Sequence, residues 1–498
     1  MSRIHKLHIG DDGPGAMIAP RMYLSKRFAA LPPRQKLIAR AAFYGGLIAL
    51  IALAVLAVAY LGQPIKRGQD AIAFVDELAA TPEVQLLRDY IRIDTSTTTG
   101  SEVAGAEFLA EHLESAGLEV HIERMGNNRA NLWAVLEGES PEAVVLHNHI
   151  DVSTPGDPED WVFPPFDAVI DQAWLYGRGV FDMKSLAVAQ LLTITEMAQS
   201  DERPQKSIVF LASGSEEVGS DLGSKWIVAN HPQLTDRFSV VLTEGGVIEA
   251  VSHNDVKYWG IEFAQKWFAT GWACSSSRRR LEQLREDLDQ LSETNHDLRL
   301  TPEVAQFLGS YADSRGLQET QRILRDVGAA LDHPHKFATL PPYLKSLFRD
   351  ETATFDIHPN ADGGYRLRFI LHLLPGSDFE QVKAKLVPDW VTLGVPLSIE
   401  QPVLSGQASP VDSPTFQILV DSVHETYPDA TVGSYLLAWS ATDARFFRQA
   451  GIPAYGFSPF LIFATDTFRR DTLNERIDLL GYVNGVNLYK RAVQKLAG

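Results

Sequence analysis

Ala143-Val144-Val145-Leu146-His147-Asn148-His149-Ile150-Asp151 is an apolar run that ends on an imidazole and a carboxylate. The run is short, β-branched and bounded by polar residues, which predicts a buried strand. Two further runs follow the same plan. Ile208-Val209-Phe210-Leu211 leads into Glu216-Glu217, and Val240-Val241-Leu242 leads into Glu244-Gly245-Gly246. Between them lies Gly177-Arg178-Gly179-Val180-Phe181-Asp182-Met183-Lys184. Open α/β sheets place ligands at the carboxyl ends of their strands. An imidazole with several carboxylates at those ends suits a divalent metal such as zinc.

Working outward, helical periodicity runs from Met183 to Met197 and from Leu222 to Asn230, so strands and helices alternate. Upstream, Val120-His121-Ile122 and Leu132–Leu136 read as strands joined at the Asn127-Asn128-Arg129 turn. The fold class is therefore α/β, a mixed sheet with helices on both faces. After about residue 250 the character changes. Tyr258–Ala264 and Tyr365–Leu371 read as strands, and a charged helical stretch holds Leu281, Leu284, Leu288 and Leu291. From Ser413 the α/β alternation returns. The expected organisation is a tail over 1–40, a membrane helix over 41–62, a catalytic domain over 63–249 and 401–498, and an inserted α+β lid over 250–400.

The chain has 498 residues and a formal net charge of -18, a balance that repels a phosphate backbone and argues against a nucleic-acid partner. Its one cysteine, Cys274, cannot form an internal disulfide. The first 40 residues are rich in Lys and Arg, whereas Ala41–Gly62 carries no charge. A run of about 22 apolar residues can span a bilayer core, and the basic flank places the N-terminus in the cytoplasm. The remainder then lies on the periplasmic or extracytoplasmic side, as a single-pass membrane protein. A cleaved signal peptide is the competing reading, since Ala57-Val58-Ala59 resembles a cleavage site.

Two adjacent ions need a bridging carboxylate, terminal ligands and a base near a shared water. His149 offers a neutral nitrogen, and Asp151 is placed to fix its tautomer. Asp182, in a glycine-flanked loop, is suited to bridging. Of the pair Glu216-Glu217, one side chain can bind metal while the other takes a proton from water. Glu244 supplies another terminal oxygen. Taken singly, each has an ordinary reading as a turn, cap or surface residue; their joint position after buried strands is what points to chemistry.

In order and spacing these motifs resemble the di-zinc metallopeptidase family of glutamate carboxypeptidase, aminoacylase and vacuolar carboxypeptidase S. The matching runs are His149-Ile150-Asp151, Tyr176–Lys184, Glu216-Glu217-Val218-Gly219-Ser220 and Glu244-Gly245-Gly246, with Leu374-Pro375-Gly376 and Thr442-Asp443-Ala444-Arg445 further on. The resemblance implies two zinc ions. His149 and Glu244 would hold one, Asp182 would bridge, and Glu217 would hold the second. Glu216 would be the general base and Asp151 the orienter of His149. Asp443 and Arg445 would line the substrate pocket. It also implies a small peptide or N-acyl amino acid as substrate, a carboxypeptidase or dipeptidase type of reaction, and a possible homodimer.

Three departures qualify the match. Where the family has a histidine as its last ligand, this chain reads Asp471-Thr472-Leu473-Asn474-Glu475, so Asp471 is the fifth candidate ligand. The lid segment Lys266–Ser275 lacks the histidine that stabilises the oxyanion, leaving His253, His333 or His335 as substitutes. Ile370-Leu371-His372 stands where Asp-x-Arg is common, which makes His372 a candidate substrate contact. These changes motivate the alternative function: a catalytically impaired relative that binds a ligand or partner.

Overall fold

Side-chain alternation along the three apolar runs sorts them onto two faces of one sheet. Val144, Leu146, Ile208, Phe210, Val240 and Leu242 join one buried cluster, whereas Ala143, Val145, Val209, Leu211 and Val241 join another. Each strand is thus buried on both sides, which is why it reads as a continuous apolar run. The computed structural model describes residues 69–498, except 296, 315–320, 322–323, 332–336, 338, 361–362, 389–393, 464 and 467–470. The expected tail and membrane helix lie outside the described residues, as do His333 and His335. Among the described residues no helix is long and apolar enough to cross a membrane.

The strands in chain order are β1 (Val120–Gly126), β2 (Arg129–Leu136), β3 (Ser140–His149), β4 (Val169–Asp171), β5 (Trp174–Tyr176), β6 (Lys206–Ser213), β7 (Phe238–Thr243), β8 (Val247–Ser252) and β9 (Asp255–Gln265). They continue with β10 (Trp267–Ser275), β11 (Glu351–Pro359), β12 (Tyr365–Leu373), β13 (Leu397–Ile399), β14 (Val432–Leu437), β15 (Ala454–Gly456) and β16 (Arg476–Asp478). The large sheet has nine described strands in the order β1-β2-β6-β3-β7-β15-β9-β14, with β8 paired to β9. At its centre β6, β3 and β7 run parallel. In register, His149 lies opposite Ser213, and Leu146 opposite Leu242. The ends of the three runs therefore lie side by side. The β1–β2 hairpin turns on Asn127 and Asn128, both at positive φ, a conformation that asparagine tolerates.

Helices cover both faces. Ser185–Ala198 begins two residues later than its periodicity predicts and is buried along most of its length. Leu479–Ala497 closes the chain against it. The inserted unit is a second, antiparallel sheet, β11-β12-β10-β13. Leu281, Leu284 and Leu288 of the helix Arg278–Glu293 fill its core. The expected boundary at 250 is corrected here. β9 belongs to the large sheet, and Val304, Phe307, Leu308, Leu347 and Phe348 pack into the large core. The insert is therefore discontinuous, covering 267–293 and 351–399. Helical periodicity showed that residues near 300–348 bury an apolar face, but periodicity carries no information about which core receives it.

Candidate metal centre

His149 ends β3 with its side chain 1% exposed. Its Nε2 lies 3.0 Å from Asp182 Oδ1 and 3.7 Å from Glu244 Oε1. Its Nδ1 lies 2.8 Å from the backbone carbonyl of Asp151, and 3.7 Å from the Asp151 carboxylate. The imidazole is thus oriented chiefly by the Asp151 carbonyl, a correction to the expectation that the carboxylate does this. The carboxylate instead accepts from the backbone N–H groups of Glu216 (3.0 Å) and Glu217 (3.1 Å). Asp151 therefore fixes the imidazole and the Glu-Glu turn together.

That turn follows β6 directly. Ser215 takes φ +63 and Gly219 φ +105, and the short 3-10 segment Glu216–Val218 splays the two carboxylates apart. One oxygen of Glu217 accepts from Ser153 Oγ at 2.7 Å. The other is buried with no hydrogen-bond partner. Asp182 sits in a loop held by a residue to which sequence reasoning gave no role, Glu475. Its carboxylate accepts from the N–H groups of Gly179, Phe181 and Asp182 and from Arg178 Nη1 at 2.7 Å. Its only sequence signal was its place four residues beyond Asp471.

The candidate ligating atoms gather in two neighbouring sets. Atoms of His149, Glu216 and Glu244 lie within 4.8 Å of one another, as do those of Asp182, Glu217 and Asp471. Asp182, 3.0 Å from His149, links the two sets. Asp471 arrives from the loop before β16, at φ +55, with Arg178 Nη1 3.9 Å away.

The electrostatics follow from crowding acids out of water. Burial pushes Glu216 up to about 8, opposed by His149 and reinforced by Asp443. Burial, then the charges of Asp182 and Asp471, pushes Glu217 up to about 9. Burial lifts Asp151 to about 6 and Glu475 to about 7, the latter against the pull of Arg178. Burial pulls His149 down, but the Asp182 hydrogen bond and the charges of Glu244, Asp182 and Glu216 carry it well above its ordinary value. So many buried carboxylates around one imidazole, with an unpartnered oxygen on Glu217, form an oxygen-rich donor set that divalent cations fit.

The three expected substrate contacts fare differently. Arg445 lies at the centre: its Nη1 is 3.9 Å from Glu216 Oε1, and its buried Nε has no hydrogen-bond partner. Asp443 is a correction. It is 1% exposed and accepts from Ser213 Oγ at 3.2 Å and from Ser220 Oγ, with His147 Nε2 3.6 Å away. It supports the Glu216 loop from below and presents nothing to a substrate. His372 is also corrected. Strand alternation buries it in β12 against Phe268, 4.0 Å from Glu351, and it touches none of the clustered acids. Burial and the Lys266 charge push it down to about 3, so it stays neutral. His253 is engaged elsewhere, 2.7 Å from Asp478.

Two acidic clusters beside the strand ends of a mixed α/β sheet form a site suited to divalent cations. The description "Peptidase family M20/M25/M40" matches residues 145–495. The chain belongs to this family of metallopeptidases and amidohydrolases, and it is an enzyme. A probable succinyl-diaminopimelate desuccinylase of Staphylococcus epidermidis is 24% identical over 371 residues, covering 70% of this chain and 83% of that protein. The M20 family metallo-carboxypeptidase Sso-CP2 from Sulfolobus solfataricus shares the fold with a TM-score of 0.62 at 16% identity, over 83% of this chain and 99% of the other. Human carnosine dipeptidase 1 does so with a TM-score of 0.62 at 15% identity, over 86% of this chain and 99% of the other.

Proposed function

We propose that the enzyme hydrolyses the amide of a small peptide or N-acyl amino acid, with Glu216 as general base. One observation supports this reading: Glu216 lies in one acidic set with His149 and Glu244, and Asp182 of the other set stands 3.0 Å from His149. His149 and Glu244 would hold one zinc, Glu217 and Asp471 the other, and Asp182 both. Bound there, divalent ions would supply Lewis-acid polarisation of a carbonyl and would acidify a water.

Glu216 would take a proton from the attacking water as its oxygen adds to the carbonyl carbon. It returns the proton to the amine nitrogen as the C–N bond breaks. Asp151 holds Glu216 through its backbone, and Arg445 keeps a guanidinium 3.9 Å from the base. The unpartnered Nε of Arg445 suits the free carboxylate of an amino-acid product.

The test combines metal analysis with assays on dipeptides and N-acyl amino acids, with and without chelator. Glu216→Gln should keep its metal and lose at least about 10²-fold in kcat. Full metal with no turnover, unaltered by Glu216→Gln, would favour the ligand-binding alternative. We also propose that Ala41–Gly62 tethers the enzyme to a membrane with the catalytic part outside the cytoplasm. Protease accessibility in intact cells tests the orientation, and sedimentation tests the pairing of two copies that the resemblance implies.

A further inference from the structure

Beyond the end of β6, the amides of Gly214, Ser215, Glu216 and Glu217 each donate to a side chain from another part of the chain. Gly214 N–H meets Asn131 Oδ1 at 2.9 Å, and Ser215 N–H meets Glu102 Oε1 at 3.1 Å. Glu216 and Glu217 N–H meet the two oxygens of Asp151. Glu102 opens the helix Glu102–Ser115, a place where an acid ordinarily serves the helix N-terminus. Here Ser101 does that, accepting from Ala104 N–H at 3.2 Å. Glu102 instead turns into the fold, where its side chain is 2% exposed. Its Oε2 accepts from Ala130 N–H at 3.1 Å, and Arg129 Nη1 donates to its Oε1. Asn131, fully buried, also donates from Nδ2 to the Leu222 carbonyl at 2.8 Å. Glu102 and the first three residues of β2 thus grip the turn at Gly214 and Ser215, and the chain again at Leu222. The fit is close: a β-carbon on Gly214 would lie 2.1 Å from Glu102 Oε2.

We infer that Glu102, backed by Asn131, is a positioning residue for the reaction: by holding the Gly214 and Ser215 peptides it sets where Glu216 and Glu217 stand. This rests on the reading of Glu216 as base and Glu217 as ligand. Asp151 alone is a pivot, since one carboxylate takes both of its bonds from neighbouring amides. A second anchor one residue upstream stops rotation about it. Ser215, at φ +63, needs such an anchor, because a side-chain-bearing residue keeps this conformation only where its surroundings impose it. The anchor also has to be a carboxylate. Both oxygens accept from backbone N–H groups, and a carboxamide would turn its own NH₂ toward one of those donors. Arg129 supplies the countercharge that lets the acid stay ionised while buried.

The test uses the full chain in detergent, loaded with zinc, and compares wild type with Glu102→Gln and Asn131→Leu on an amide that wild type cleaves. Glu102→Gln should lower kcat about 10–100-fold while KM stays within about twofold, since the base is misplaced and substrate contacts are untouched. Zinc should bind about 10–100-fold more weakly, because Glu217 moves with the same turn. Competition with a chromogenic chelator reads that affinity without turnover. In the metal-free protein, hydrogen exchange should speed up over residues 213–219 and stay slow in β3. Asn131→Leu, which removes only the Gly214 acceptor and the Leu222 donor, should show a smaller loss of the same kind. It carries the test if Glu102→Gln does not fold. A folded variant that melts earlier but keeps wild-type kcat and zinc affinity overturns the inference, because the clasp then serves stability alone. A loss that falls on KM with kcat intact overturns it as well. If wild type cleaves no amide, the hydrolase reading fails. Weaker zinc binding and faster exchange over 213–219 then still support the clasp, and unchanged values overturn it.

Discussion

Asp471 and Glu475 show how much one loop contributes to this centre. Asp471 completes the set with Asp182 and Glu217. If it ligates, Asp471→Ala should lower metal occupancy as much as Glu217→Ala does, measured by mass spectrometry of the purified protein. Unchanged occupancy in Asp471→Ala would remove it from the ligand set. Glu475 acts differently, by holding the loop that presents Asp182 and by neutralising Arg178, whose side chain is 2% exposed. Glu475→Ala would strip that buried guanidinium of its 2.7 Å partner and leave only the carboxylate of Asp471, 3.9 Å away, a loss of up to about 3–5 kcal/mol. Thermal melting should therefore fall sharply, with Glu475→Gln intermediate because an amide still accepts from the loop N–H groups. Asp471 was legible because a motif slot stood open for it. Glu475 closes the same motif run, four residues on, but its role was not legible, because accepting from backbone N–H groups leaves no mark on residue type. Asp443 misled for a related reason: a helix-start aspartate beside an arginine looks the same whether it faces a substrate or two buried serines.

At the scale of elements, the long apolar runs were read correctly because burial on both faces keeps the middles of β3, β6 and β7 apolar, over 143–146, 208–212 and 240–242. Three-residue strands such as β4, β5 and β16 carry too few residues for any period. Yet the small sheet they form brings the Glu475 loop against the Asp182 loop, with Gly177 N–H donating to the Glu475 carbonyl at 3.1 Å. β16 runs into Asp478, which caps the last helix by accepting from Gly481 N–H at 2.6 Å. His253 meets the same Asp478 oxygen at 2.7 Å. The hydrogen bond to Asp478, opposed by partial burial, lifts His253 above its ordinary 6.5. The charged imidazole is thus favoured by folding. Its stabilisation is complete below about pH 6.5 and is lost as pH rises through the lifted value. Melting wild type and His253→Ala between pH 5.5 and 9 should show the widest gap at the acid end and a narrowing gap above neutrality. A gap that widens with pH would contradict the assignment.

At the scale of the molecule, the chain leaves the large sheet, builds the insert, and must return to finish both the sheet and the site. The return was legible as renewed α/β alternation after Ser413. The discontinuity of the insert was not, since it depends on where one apolar helix docks. What locks the return is an ion pair that joins β9 to the helix Ala444–Gln449. Arg448 Nη1 and Nη2 reach the two oxygens of Glu262 at 2.8 and 2.7 Å. Both side chains are at most 1% exposed. Arg448 also donates to the Ala454 carbonyl at the start of β15, and Gly456 N–H meets Glu262. Burial holds Glu262 above its ordinary value, and Arg448 offsets that desolvation only in part. The same short helix carries Arg445, beside Glu216, in its first turn. Arg448→Met should therefore cost about 3–5 kcal/mol, because it strands a buried carboxylate. Glu262→Leu with Arg448→Met should recover most of that loss, since an apolar pair of similar volume leaves no orphan charge. Urea unfolding of the single and double variants measures both terms. Strict additivity would show that the two side chains act independently and that the lock lies elsewhere.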